Sequence, residues 1–170
     1  KISNREGDMA VTRIAINGFG RIGRNAFKIA NERSDLEIVA INDLTDTKTL
    51  AYLLKHDSNY GEYGRQVDFT ENELIIEGKP VKVLAEKDPE NLPWRDLGID
   101  VVIESTGFFT DKDGAVKHLT AGAKRVVISG PTKSEGVDTI VLGTNDDKVK
   151  NATPIVSNAS CTTNSLGAVM

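Results

Sequence analysis

The only cysteine of the chain, Cys161, lies within Ser157-Asn158-Ala159-Ser160-Cys161-Thr162-Thr163-Asn164. Small polar residues surround the thiol where an apolar stretch, Pro154-Ile155-Val156, gives way to a helix-compatible sequence. At a helix N-terminus, unpaired N–H groups and the positive end of the helix dipole favour the thiolate, the nucleophilic form of cysteine. The alternative for a lone cysteine is a small buried hydrophobe. Far upstream, Gly18-Phe19-Gly20-Arg21-Ile22-Gly23 matches G-x-G-x-x-G. In that pattern the first glycine allows a tight turn, the second lets a pyrophosphate approach the backbone, and the third lets helix and strand pack closely. The helix that follows offers N–H donors to the phosphates. The alternative is that the glycines only turn a corner. Asp43, a strand and a helix beyond them, stands where a carboxylate would accept hydrogen bonds from an adenosine ribose. It would repel a 2′-phosphate, and Leu44 and Thr45 supply no arginine to neutralise one, so NAD is expected over NADP. A solvated loop aspartate or a helix cap is the competing account of Asp43.

These residues need elements to hold them, and the sequence alternates strand and helix patterns. Strands are predicted over 11–17, 37–42, 100–104, 125–129, 139–142 and 154–157, and helices over 21–32, 47–55 and 111–121. Thr45 and Asp46 are cap candidates for the second helix, and Gly122 stops the third. Segments 66–70, 73–77 and 81–85 alternate and are split by turn residues, which reads as an antiparallel excursion of hairpin type. The expected architecture is α/β: a Rossmann-type, doubly wound, mostly parallel sheet with that excursion. The fingerprint therefore sits between a strand and a helix, the context that gives it meaning.

Composition narrows the function classes. The chain has 170 residues and a net charge of −4, with acids and bases interspersed, which argues against a dedicated nucleic-acid binder. No apolar run approaches a membrane span, and no signal-peptide pattern is present. One cysteine rules out an internal disulfide framework, and the two histidines, His56 and His118, are too far apart in sequence to suggest a metal site. A soluble cytoplasmic protein is expected. Residues 1–8 are polar and precede Met9, which reads as the natural start, with the octet an extension or expression remnant.

Segments 17–24, 42–44, 54–58 (Leu-Lys-His-Asp-Ser), 104–107 (Glu-Ser-Thr-Gly) and 157–164 occur in that order. Together they resemble the N-terminal half of phosphorylating glyceraldehyde-3-phosphate dehydrogenases, from about Met9 to the last residue. The octet around Cys161 is nearly diagnostic of that family and its close relatives. The resemblance implies that Asn17, Gly18, Phe19, Gly20, Arg21 and Ile22 form the pyrophosphate-binding turn, with Asn42 and the ribose acid Asp43 beside it. It also implies that Ser105, Thr106 and Gly107 end a strand at the cofactor crevice, walled by Phe108 and Phe109, and that Ser129 lies beside the nicotinamide. Ser160, Cys161 and Thr162 would hold the substrate, with Cys161 as nucleophile and Asn164 fixing the turn. Lys87 stands where many members carry an arginine near the adenine, and a backbone contact would survive that change. Ser165 replaces a second cysteine that some members also lack. Gly130, where alanine is usual, and Gly167 depart from the family without touching the nucleophile.

The implied chemistry is addition of the Cys161 thiolate to glyceraldehyde 3-phosphate, hydride transfer to NAD, and release of the acyl thioester by inorganic phosphate. The implied parent is a glycolytic homotetramer with no nucleic-acid or membrane partner. Its general base is a histidine downstream of the cysteine, and no histidine follows Cys161 here. The division expected is a NAD-binding domain over 9–158 and the start of a truncated catalytic domain over 159–170. The isolated chain is expected to bind NAD weakly at best, with little or no turnover, and surface or packing roles are expected for His56 and His118. Two rivals stand beside this reading. Erythrose-4-phosphate dehydrogenase shares the cysteine motif, but its sequences tend to read Asn-Glu and Asp-Cys-Thr-Gly where this chain has Asn42-Asp43 and 104–107. The other is a dinucleotide-binding module without catalysis.

Overall fold

The computed structural model describes residues 11–167 and 169; the octet 1–8, Met9 and the last residue lie outside the described residues. Among the described residues, eleven strands and four α-helices follow one another. In chain order they are β1 (Thr12–Asn17), α1 (Arg21–Ala30), β2 (Leu36–Asn42), α2 (Thr47–Lys55), β3 (His56–Asp57), β4 (Gly61–Glu62), β5 (Val67–Phe69), β6 (Glu73–Ile76) and β7 (Lys79–Leu84). Then come β8 (Val101–Glu104), α3 (Lys112–Thr120), β9 (Arg125–Ile128), β10 (Asp138–Thr139), β11 (Ile155–Ser157) and α4 (Cys161–Gly167).

Nine strands make one sheet in the order β10-β11-β9-β8-β1-β2-β7-β6-β5. From β10 to β7 neighbours run parallel, and β7, β6 and β5 run antiparallel. The predicted antiparallel excursion is therefore present, and β7 hydrogen-bonds it directly onto β2. The strand expected over 139–142 is shorter, because the Asn145 side chain accepts from Val141 N–H and donates to Thr139 O, turning the chain away. The small β3–β4 ladder has no counterpart in the sequence reading; two-residue strands leave no periodicity to detect.

The two faces of the sheet bury different side chains. Ile14, Ile16 and Ile41 pack with Phe27 of α1 and with Leu50 and Leu54 of α2. Ala15, Ala40 and Val102 point the other way, toward Trp94. Further along that second face, Val126 and Ile128 meet Ala115 of α3. Helices thus cover both faces, as a parallel sheet requires. A register shift beside Ile14 and Ala15 sets Ala15 opposite Ala40, leaving Val39 as an extra residue in β2. From there Ala15 pairs with Ala40 and Asn17 with Asn42, placing both asparagines on the second face.

Candidate functional site

Winding reverses at β1. The connection through α1 carries the chain to β2 on one side, whereas β8 lies on the other side and leads through α3 to β9. The loops leaving β1 and β8 therefore part and open a crevice at the C-terminal edge of the sheet. A cleft of about 570 Å³ lies there. Its walls are Asn17, Gly18 and Gly20 after β1, Asn42, Asp43 and Leu44 after β2, Glu86 and Lys87 after β7, and Ser105, Thr106, Phe108 and Phe109 after β8.

The three fingerprint glycines have different surroundings. Gly18 has φ +89°, and a Cβ there would lie 2.7 Å from the Thr106 nitrogen, so only glycine fits between the two loops. A Cβ on Gly23 would come within 2.1 Å of the Gly18 oxygen, which holds α1 tight on β1. Gly20 differs: its φ is −72°, and among the described residues no atom lies within 4 Å of an added Cβ. Nothing among the described residues demands glycine at that position. Gly20 also begins α1 without a side-chain cap, and no acidic residue stands in the first turn. By contrast, Asp46 accepts from Thr49 N–H to cap α2, and Asp111 accepts from Gly114 N–H to cap α3. The N–H groups of the first turn of α1 have no intrahelical acceptors.

Asp43 braces the glycine turn from the other side. Its Oδ2 accepts from Phe19 N–H at 2.7 Å and its Oδ1 from Thr45 N–H at 2.9 Å. Each oxygen keeps a lone pair for a further donor. The Phe19 side chain is buried and packs edge-on to Phe27 at 5.5 Å, so this residue serves the turn through its backbone. Arg21 and Ile22 are exposed on the first turn of α1 and are not part of the cleft wall.

Beneath the cleft, Asn42, Asn17 and Glu104 end three neighbouring strands in register and form a buried polar row. Asn42 Nδ2 donates to Asn17 Oδ1 at 2.7 Å, and Asn17 Nδ2 donates to Glu104 Oε2 at 2.6 Å. Asn42 also clamps the backbone of Glu86, accepting from its N–H and donating to its carbonyl, both at 2.9 Å. Glu104 Oε1 accepts from the backbone N–H and the hydroxyl of Thr106. Ser105 Oγ donates to Gly18 O at 2.7 Å and ties the loop after β8 to the glycine turn. Asn17, Asn42, Ser105 and Thr106 thus use their side chains to hold the loops.

The Cys161 turn reaches the same edge of the sheet. β11 runs parallel to β9, and Asn158 N–H donates to Ile128 O at 2.8 Å, so the chain leaves the sheet beside Ser129. Ala159 is buried with φ +61°, a left-handed conformation that a non-glycine residue adopts only where its neighbours impose it. Ser160 Oγ accepts from Thr163 N–H at 3.0 Å, and the Asn164 amide donates to the carbonyls of Asn158 and Ser160 at 2.7 and 3.0 Å. Cys161 is exposed at the start of α4, a helix of 7 residues. Neither Ser129, Gly107 nor the triplet Ser160, Cys161, Thr162 contributes to the cleft wall. His118 is fully buried and hydrogen-bonded, while His56 is exposed with its ring 4.7 Å from Tyr52.

Sequence reasoning missed the part played by Glu86 and by the buried trio Glu104, His118 and Trp94. The available signal was an acidic residue closing an otherwise apolar strand, Val101-Val102-Ile103-Glu104.

A doubly wound sheet with a glycine turn at its switch point and a carboxylate at the end of the second strand defines a dinucleotide-binding domain. The profile of the family described as glyceraldehyde 3-phosphate dehydrogenase, NAD binding domain, matches residues 12–112, and the chain belongs to that family. It is 55% identical over 162 residues to glyceraldehyde-3-phosphate dehydrogenase of Thermotoga maritima, covering 94% of this chain and 48% of that protein. The enzyme of Geobacillus stearothermophilus is 55% identical over 159 residues, with 93% and 47% covered. That of Borreliella burgdorferi is 56% identical over 159 residues, with 91% and 47% covered. The chain therefore spans about half the length of the curated relatives it matches. Among the described residues no helix is long and apolar enough to cross a membrane.

Proposed function

We propose that this chain is the NAD-binding part of a phosphorylating glyceraldehyde-3-phosphate dehydrogenase, with residues 9–158 forming the cofactor domain and 159–170 opening the catalytic one. The observation that carries this reading is the bare N-terminus of α1 behind Gly20. A helix end without a cap, next to a glycine whose missing Cβ leaves only open space, suits a pyrophosphate on the backbone N–H groups. Asp43 keeps lone pairs for two ribose hydroxyls. The residues present therefore fit NAD, and Lys87 lies on the wall beyond Asp43, on the side assigned to the adenine.

NAD, when bound, supplies the hydride acceptor for oxidation of an aldehyde. The Cys161 sulfur acts as nucleophile toward glyceraldehyde 3-phosphate, with Ser160 and Thr162 at the substrate, and Ser129 beside the nicotinamide end. The acyl group held on that sulfur is released by inorganic phosphate as an acyl phosphate. Neither histidine of the chain stands in the Cys161 turn, so the base for this chemistry is proposed to come from residues outside this chain. The parent enzyme is proposed to be a cytoplasmic homotetramer without nucleic-acid or membrane partners.

Calorimetric titration of the chain with NAD, with NADP under the same conditions, tests the cofactor part. Saturable NAD binding with NADP at least about tenfold weaker is expected, a discrimination of the size a single carboxylate–phosphate repulsion supplies. Equal affinities would remove Asp43 from its assigned role. Absence of NAD binding would overturn the cleft as a self-sufficient cofactor site.

A further inference from the structure

We propose that His118, which does not itself line the cleft, is a positioning residue for cofactor binding. The inference rests on the NAD reading above and extends it to the buried layer below the site. His118 belongs to α3 and is fully buried. Trp94 Nε1 lies 3.0 Å from His118 Nδ1. An indole N–H can only donate, so Nδ1 is the acceptor and the ring hydrogen resides on Nε2. That hydrogen is donated to Glu104 Oε2 at 2.9 Å. Oε2 is thereby held between His118 and the Asn17 amide, which turns Oε1 toward the Thr106 N–H at 2.8 Å and the Thr106 hydroxyl. The same hydroxyl oxygen accepts from Phe108 N–H at 3.1 Å.

One end of this chain of bonds sets the loop that carries Phe108 and Phe109 along the cleft. The other runs through Asn17 and Asn42 to the backbone of Glu86, the opposite wall. A plug that only filled space here would need no polar atoms, since Ala15, Ala40 and Val102 fill the same face one step back along the strands. Buried polar groups of this kind define geometry when every member is satisfied. The assigned hydrogen positions satisfy Trp94 Nε1, both ring nitrogens of His118 and both oxygens of Glu104. His118 thus sets the direction in which Glu104 faces, and Glu104 sets the two walls.

The test uses the 170-residue chain, NAD titration and nitrogen-15 NMR. Trp94 is the only tryptophan, so a single indole N–H resonance reports its bond to His118. Long-range imidazole spectra should show His118 protonated at Nε2 and not at Nδ1. His118→Leu removes both bonds, and NAD affinity should fall at least about tenfold at temperatures where the variant is folded. His118→Gln, whose amide can accept from Trp94 and donate to Glu104, should recover affinity to within about threefold of the unaltered chain, a rescue that space-filling alone does not give. Should His118→Leu not fold, Trp94→Phe keeps an aromatic ring and removes the donor to Nδ1, and at least about a fivefold loss is expected. Protonation at Nδ1, unchanged affinity in the folded variant tested, or no rescue by a folded His118→Gln would each overturn the inference. If the unaltered chain itself fails to bind NAD, the cofactor reading falls and takes this one with it. If it binds and His118→Leu binds equally well, only the present inference falls.

Discussion

Glycine is used in three different ways within six residues of the fingerprint, and substitution separates them. Gly23→Ala drives a methyl into the Gly18 carbonyl, 2.1 Å from the ideal Cβ position. Overpacking of this kind costs about 1–3 kcal/mol or more, so thermal unfolding should show a clear loss of stability without any cofactor present. Gly20→Ala meets no atom among the described residues and needs no change of backbone region. Its stability should change by less than about 1 kcal/mol, the scale of a helix-start substitution. Its affinity for NAD should nevertheless fall at least about tenfold, because the methyl occupies the space assigned to the pyrophosphate. Calorimetry on the two variants checks both halves. A Gly20→Ala chain that binds NAD normally would leave that glycine without a purpose.

At the level of the elements, carboxylates secure the starts of α2 and α3 and join the starts of two strands. Asp111 caps α3, the helix that carries His118, by accepting from Gly114 N–H at 2.6 Å. Asp111→Ala should cost about 1 kcal/mol, read as a lowered unfolding midpoint. Asp100 joins the starts of β8 and β1. Its carboxylate accepts from Lys124 Nζ at 2.6 Å and from Arg13 N–H at 2.9 Å. The Lys124 hydrogen bond first, and the Arg13 N–H second, hold this carboxyl below its ordinary value of 3.8. A folded value below the unfolded one means that the stabilisation is complete above the ordinary value and is lost as pH falls through the folded value. Asp100→Asn should therefore be less stable than the unaltered chain at neutral pH, with the difference closing in acid. Denaturant titrations at pH 7 and near pH 3 measure that gap, and a gap independent of pH would exclude the ionised carboxylate as its source.

Cofactor binding should be felt by the whole molecule, because the cleft walls come from loops after β1, β2, β7 and β8. A ligand that binds only the folded state adds about 2.7 kcal/mol at a concentration one hundred times its dissociation constant. For a chain of this size that corresponds to a rise of about 5–10 °C in the unfolding midpoint. Differential scanning measurements with NAD and with NADP at equal concentration should show the larger rise for NAD. Equal rises would agree with equal affinities and count against Asp43 as the discriminating group.

Local sequence pattern determined the architecture and the location of the site. Apolar runs ending in polar residues gave the strands their positions, Gly18 and Gly23 follow from steric need at one turn, and the octet around Cys161 carries the family resemblance from which the chemistry is proposed. These are short-range properties, readable because periodicity, turn residues and motif spacing involve neighbours along the chain. The pairing of Asn17 with Asn42 and Glu104 depended on register, including the extra residue Val39 in β2, which no local pattern reports. His118 and Trp94 lie far from the glycine turn in sequence, and only the crossing of α3 over the sheet brings His118 between Trp94 and Glu104. The sequence therefore names most of the residues that line the cleft, whereas the tertiary structure decides which buried residues aim them, because hydrogen bonds between distant segments exist only after the strands have paired.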